Sequence, residues 1–123
     1  MVLQAKHIKG KGRGVTLGFP TINLDFPDDI ILDDGIYAAW VVVGDKTYKG
    51  ALHFGPVPTF DQLEKSMEVY LLDVTDETVP DTNDVLIEID IVKRLRDVKD
   101  FAETDDLIAQ IADDVEKVNT ILK

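Results

Sequence analysis

Short apolar runs separated by turn-forming residues occupy most of the first hundred positions. Five of these runs have the length of a β-strand, and they span residues 22–26, 36–43, 47–54, 66–74 and 85–92. The residues Gly44-Asp45-Lys46 join two of the runs and predict a hairpin. Pro56 and Pro58 predict a loop over residues 55–59, because proline lacks the N–H that a β-ladder needs. Regular short strands with such turn signals indicate an antiparallel barrel or sandwich.

The run 66–74 alternates between two faces. One face carries Met67, Val69 and Leu71, and the other carries Glu68, Tyr70 and Leu72. If the first face is the core, the Glu68 carboxylate points away from the core, towards the surrounding loops.

The last twenty residues follow a different period. Apolar residues recur there at three- and four-residue intervals, at Leu107, Ile108, Ile111, Val115, Val118 and Leu122. This spacing predicts one amphipathic helix over about 104–122, with Thr104 as its N-cap and acidic residues in its first turn. Asp113 and Asp114 are interpreted as solvated residues on its polar side. We therefore predict a single domain over 1–123, an all-β barrel over about 1–100 closed by this helix.

Composition narrows the class of protein. The chain has no cysteine, which excludes disulfides, thiolate zinc sites and a catalytic Cys, and its two histidines are too few for a His-based metal cage. It has no apolar stretch of membrane-spanning length and no secretory signal, so we expect a cytoplasmic protein without a membrane partner. The net charge of −11 arises entirely in residues 61–123 and disfavours nucleic acid as a partner.

A short basic, glycine-rich segment precedes the first acidic residue. Lys6, Lys9, Lys11 and Arg13 lie in or beside it, and four glycines fall within residues 10–18. Glycines let backbone N–H groups approach an anion closely, and the basic side chains add positive charge there. Thr21 and Asn23 follow, and their oxygen atoms suit a phosphate-bound Mg²⁺. On glycine spacing alone, a flexible loop with a Pro-Thr turn explains the segment equally well.

As a whole string, this segment resembles the riboflavin kinase family, whose glycine-rich stretch runs into Leu-Gly-Phe-Pro-Thr-Ala-Asn. Residues 17–23 differ from that pattern only by Ile22 in place of Ala. Later segments resemble the family's in the same order: 35–38, 50–60, 67–69, 95–101 and 107–114. The resemblance implies a six-stranded antiparallel Greek-key barrel with a C-terminal helix. It also implies transfer of the ATP γ-phosphoryl group to the riboflavin 5′-hydroxyl, with Mg²⁺ and with FMN as product.

The resemblance also implies roles for individual residues. Glu68 falls where the family has its catalytic base, and Thr21 and Asn23 fall where it holds Mg²⁺ and phosphate. The implied nucleotide-binding residues are Gly12, Arg13, Gly14, Gly18, Pro20, Thr21 and Asn23. Arg96 and Phe101 match a stretch that lines the flavin site, although Arg96 is equally well a surface partner of Asp97 or Asp100. Riboflavin and ATP are the expected partners of a monomeric enzyme.

The sequence departs from the family pattern at several positions. Where the family pattern has Asn-Ile-Gly, this chain has His53-Phe54-Gly55. Val57 replaces the family's Arg before Pro-Thr-Phe, and Tyr70 replaces its His two residues after the base. No Tyr-Gly pair follows in residues 78–81. These departures leave two alternatives open, a flavin- or nucleotide-binding module without turnover and a kinase that uses another nucleoside triphosphate. His53 itself is interpreted as a strand residue with a satisfied hydrogen bond.

Overall fold

The structure, a computed structural model, describes residues 1–8, 21–27, 29–56, 65–74, 85–99 and 103–122. Six strands and one helix lie within these residues. In chain order they are β1 Val2–His7, β2 Thr21–Asp25, β3 Gly35–Val43, β4 Lys46–Pro56, β5 Lys65–Leu71, β6 Leu86–Arg96 and α1 Thr104–Ile121.

The six strands of the described residues close into an antiparallel barrel in the order β1-β2-β5-β4-β3-β6. Strands β3, β4 and β5 follow one another as neighbours, and β6 returns to pair with β3, which is a Greek-key arrangement. Gly44 has a φ of 63° in the tight turn between β3 and β4, as the predicted hairpin requires. The predicted fold, a six-stranded antiparallel barrel with a C-terminal helix, is confirmed.

The core fills the interior of the barrel with the inward-facing residues of every strand. Met67, Val69 and Leu71 of β5 are each almost fully buried there. The predicted alternation of β5 is therefore correct, and Glu68 and Tyr70 lie on the outer face of the barrel. That face supplies the site described below.

The helix α1 packs on the outer face of the barrel rather than over one of its ends. Ala38 of β3 and Ala51 of β4 offer small side chains there, and Val118 and Leu122 pack against them with Leu72. Small residues on the strands let the helix come close, so its apolar stripe is buried against the sheet. Within the described residues no helix is both long enough and apolar enough to cross a membrane.

Gly50 shows how tightly the inside of the barrel is packed. A Cβ atom at Gly50 would lie 2.7 Å from a methyl group of Val69 and 2.9 Å from one of Val41. Gly50→Ala should therefore lower the free energy of unfolding by about 1–3 kcal/mol, measured by urea denaturation. An alanine that fitted without strain would instead stabilise the chain by about 0.4–1 kcal/mol. A stabilised variant would thus contradict the packing described here.

Three local predictions need correction. The apolar runs do not reveal β1, because it turns only Leu3 and the small Ala5 towards the core. Strand β4 continues to Pro56, so residues 55 and 56 belong to the strand and not to the predicted loop. The N-cap of α1 is Glu103 rather than Thr104, and it makes no side-chain capping bond, although the predicted first-turn acids are present.

The interpretation of Asp114 as a solvated residue is wrong. Asp114 is only 3 % exposed, and its carboxylate accepts two hydrogen bonds from the Arg96 guanidinium, at 2.8 Å from Nε and 2.7 Å from Nη2. Gln110 donates a further bond to the same carboxylate at 3.2 Å. Asp113 is half-exposed and pairs with Lys117 on the surface, as expected for a solvated residue. A buried ion pair therefore joins α1 to the end of β6.

Candidate active site

One row of residues crosses the outer face of five adjacent strands. Strand register pairs Asn23 of β2 with Glu68 of β5, and Glu68 with His53 of β4. The row continues from His53 to Ile36 of β3 and from Ile36 to Arg96 of β6. Direct partners in antiparallel strands share a face, with Cβ atoms about 4.5–5.5 Å apart. The fold thus places the predicted base, Glu68, between an amide and an imidazole.

Glu68 is buried although it faces outwards. Its exposure is 6 %, and it is one of two buried acidic residues among those the structure describes, the other being Asp114. Burying a carboxylate costs free energy unless other groups compensate for its charge. A glutamate retained in such a position on an outer barrel face is typical of a functional group rather than of a solvated strand residue.

Thr21 lies in a second row, next to the first. It pairs with Tyr70 of β5, and Tyr70 pairs with Ala51 of β4. Ile22 and Leu24 point into the core, so Thr21 and Asn23 both face outwards on β2, and both are half-buried. The two predicted metal ligands therefore share one face, and Asn23 is directly opposite Glu68.

The described residues on either side of the predicted phosphate-binding segment lie beside this row. The backbone N–H of Ile8 donates to the carbonyl of Asn23 at 2.8 Å, and the described chain resumes at Thr21. Five predicted nucleotide-binding residues lie outside the described residues: Gly12, Arg13, Gly14, Gly18 and Pro20. Their roles stay predictions, although the chain on both sides of them lies next to Asn23.

Of the two residues predicted to line the flavin site, one is described. Arg96 lies at the end of the row, and its Nε and Nη2 atoms donate hydrogen bonds to the Asp114 carboxylate. Its Nη1 atom donates to the backbone carbonyl of Asp97 at 2.8 Å. Of the suggested alternative partners, Asp97 offers Arg96 only its backbone carbonyl, because the ion-pair partner is Asp114. Asp100 lies outside the described residues. Phe101 lies outside the described residues.

A second group of charges lies at the barrel end where β3 begins and β6 finishes. Arg94 donates to the Asp34 carbonyl at 2.6 Å and to the Asp97 carboxylate at 2.6 Å. Its hydrogen bond lowers the pKa of Asp97, and the same bond raises the pKa of Arg94. Burial raises the pKa of Tyr37, whose hydroxyl donates to the Asp33 carbonyl. These contacts fix the start of β3, which carries Ile36 of the row.

The oxygen atoms of these two neighbouring rows fit a phosphoryl-transfer site. Thr21 and Asn23 supply hydroxyl and amide oxygens, which are the hard ligands that Mg²⁺ prefers, and such sites usually complete their coordination with water and substrate phosphates. Glu68 supplies a carboxylate that can accept a proton. The sequence predicts these three residues, but it does not predict that His53 is directly opposite Glu68, because strand register cannot be derived from alternation alone.

Comparison with known proteins identifies relatives over nearly the whole chain. The family profile described as "Flavokinase: Riboflavin kinase" matches residues 1–122. The bifunctional riboflavin kinase/FMN adenylyltransferase of Escherichia coli K12 is 33% identical over 113 residues, which cover 91% of this chain and 35% of that protein. The riboflavin kinase of Mus musculus is 31% identical over 118 residues, which cover 89% of this chain and 73% of that protein.

A solved structure supports the fold independently. The crystal structure of riboflavin kinase from Trypanosoma brucei superposes with a TM-score of 0.71 at 21% identity, covering 98% of this chain and 78% of that one. The chain spans only about a third of the length of the bifunctional bacterial relative.

Proposed function

The chain belongs to the riboflavin kinase family, and from this membership we propose that it transfers the γ-phosphoryl group of ATP to the 5′-hydroxyl of riboflavin, giving FMN and ADP. The observation that carries the proposal is the buried Glu68, paired in register with Asn23, whose carbonyl accepts from Ile8, the last described residue before the glycine-rich segment. Phosphoryl transfer depends mainly on positioning and on neutralising charge, so one base, one metal site and one phosphate loop form a sufficient set.

In this proposal each residue has one task. Glu68 accepts the proton of the riboflavin 5′-hydroxyl as that oxygen attacks the γ-phosphorus. Thr21 and Asn23 would hold Mg²⁺, which supplies positive charge against the phosphate oxygens when it is bound. The segment containing Gly12, Arg13, Gly14, Gly18 and Pro20 would hold the nucleotide phosphates. Arg96 and Phe101 would border the flavin, with Arg96 fixed in place by Asp114.

The choice of nucleotide is tested by the reaction itself. We expect FMN, separated from riboflavin by chromatography, when the protein is incubated with riboflavin, Mg²⁺ and ATP, and much less with CTP, GTP or UTP. Faster FMN formation with CTP would show that CTP, not ATP, is the phosphoryl donor, and the proposed kinase activity would still hold. Tight riboflavin binding without FMN from any of the four would overturn the proposal. Cytoplasmic location and a monomeric state stay predictions.

Thr21→Ala tests the proposed metal site. Loss of the hydroxyl should raise the Mg²⁺ concentration needed for half-maximal rate by about tenfold, a typical cost of losing one partner of a metal site. The KM for riboflavin should stay within about twofold, since riboflavin does not contact this hydroxyl in the proposal. Thr47→Ala, at an exposed position on β4, is the matched control and should change neither value. Equal rises in both values for Thr21→Ala would indicate a general disturbance of β2 instead.

A further inference from the structure

His53 occupies the position directly across from Glu68, where β4 pairs with β5. Its neighbours Leu52 and Phe54 are buried in the barrel core, so the alternation of β4 holds the imidazole on the outer face that carries Glu68. Direct cross-strand partners have Cβ atoms about 4.5–5.5 Å apart, a spacing that an imidazole and a carboxylate can bridge with a hydrogen bond.

The charged groups around His53 can be named strand by strand. Glu68 faces it from β5, whereas its partner on β3 is the buried, apolar Ile36. Arg96 lies one strand further, on β6, and its charge is matched by Asp114 of α1 at 2.7 Å. On β4 itself, the nearest charge on this face is Lys49, which donates to Asn119 at 3.4 Å. Tyr70 of β5 pairs with Ala51, and Asp34, before β3, forms an ion pair with Lys65 at 2.9 Å. Among these groups, Glu68 is the one directly paired with His53.

We propose that His53 is a positioning residue for Glu68, its neutral imidazole donating an N–H to the carboxylate and orienting the oxygen that accepts the substrate proton. This inference rests on the proposed kinase function. In the step, the proton of the riboflavin 5′-hydroxyl moves to Glu68 and the hydroxyl oxygen bonds to the γ-phosphorus. The bond from the γ-phosphorus to the bridging oxygen breaks, so ADP leaves. The imidazole keeps its proton throughout.

This arrangement makes the rate depend on the charge of His53. A protonated imidazole beside Glu68 stabilises the ionised carboxylate and so opposes its gain of a proton. The turnover rate should therefore fall when the pH is low enough to protonate His53. If His53 only packed against its neighbours, replacing it would change the rate by the same factor at every pH.

The test compares kcat from pH 5 to pH 9 for the parent protein and for His53→Phe, a ring of similar size that cannot donate a hydrogen bond, with riboflavin and Mg–ATP saturating. The ratio of the two rates removes any titration of the substrates. We expect the parent to be faster by about tenfold at pH 8, the effect of one hydrogen bond to a charged group, and the ratio to fall towards one at the acid end of the range. The KM for riboflavin should change less than twofold.

Two further measurements separate the outcomes. The chain has two histidines, and His7→Asn should keep the pH dependence of the parent. In an NMR titration of the imidazoles, Glu68→Gln should lower the midpoint of His53, because the negative charge beside it is removed. This readout needs no activity and no substitution at His53. A flat rate ratio or an unmoved His53 midpoint would overturn this inference alone, whereas no FMN from the parent at any pH would overturn the kinase and this inference together.

Discussion

Glu68→Gln should lower kcat for FMN formation by about 10²–10⁴-fold, the usual contribution of a positioned general base. Glutamine keeps the size of the side chain and can still hydrogen-bond, but it cannot accept the proton of the 5′-hydroxyl. The loss corresponds to about 3–5 kcal/mol in barrier height. Binding of riboflavin and of ATP should stay close to that of the parent, because the carboxylate acts on the reacting hydroxyl.

Glu88→Gln is the matched control for this experiment. This substitution makes the same change of charge on β6, but Glu88 is exposed and pairs with Gln4 and Val42, away from the row. Its kcat should equal that of the parent. If Glu68→Gln turned over within about threefold of the parent, Glu68 would not be the base, whatever the family resemblance implies.

Asp114→Ala should lower the free energy of unfolding by about 3–5 kcal/mol, measured by urea denaturation. The substitution leaves the Arg96 guanidinium, whose side chain is 13 % exposed, without its two carboxylate bonds. A charge left buried without its partner is what makes breaking such a pair costly. Gln110 also loses the acceptor of its hydrogen bond.

The neighbouring residue provides the comparison for Asp114. Asp113→Ala removes an exposed pair with Lys117 and should cost less than about 1 kcal/mol. A double variant, Arg96→Met with Asp114→Leu, should recover much of the stability, since apolar residues of similar volume often replace a buried ion pair at little cost. If Asp114→Ala cost no more than Asp113→Ala, the pair would not be what fastens α1 to β6.

Some features of the fold were predictable from local pattern. The strict alternation in 66–74 placed Glu68 on the face opposite Met67 and Val69, as the structure has it. The three- and four-residue spacing of apolar residues predicted the helix over about 104–122, and the structure has it at Thr104–Ile121. The first strand was not predictable in this way, because Ala5 is too small to signal a buried face. Its existence, and hence the count of six, followed from the family resemblance.

The site required information that local pattern does not contain. Pairing of Asn23, Glu68 and His53 depends on how β2, β5 and β4 align, and strand register is set by the packing of the whole barrel. Asp114 had a usable signal: it lies three residues after Ile111 and four before Val118, on the apolar stripe of the helix. A carboxylate on a buried stripe predicts a buried partner, which the structure shows to be Arg96.

Transfer of label from [γ-³²P]ATP to riboflavin in the presence of Mg²⁺ tests the central claim most directly. We expect the label to appear in FMN, one FMN for each ADP formed, and the Glu68→Gln variant to produce it at least a hundredfold more slowly. Label that stayed in ATP, or that appeared only as inorganic phosphate while riboflavin was bound, would contradict the assignment of this site as a riboflavin kinase.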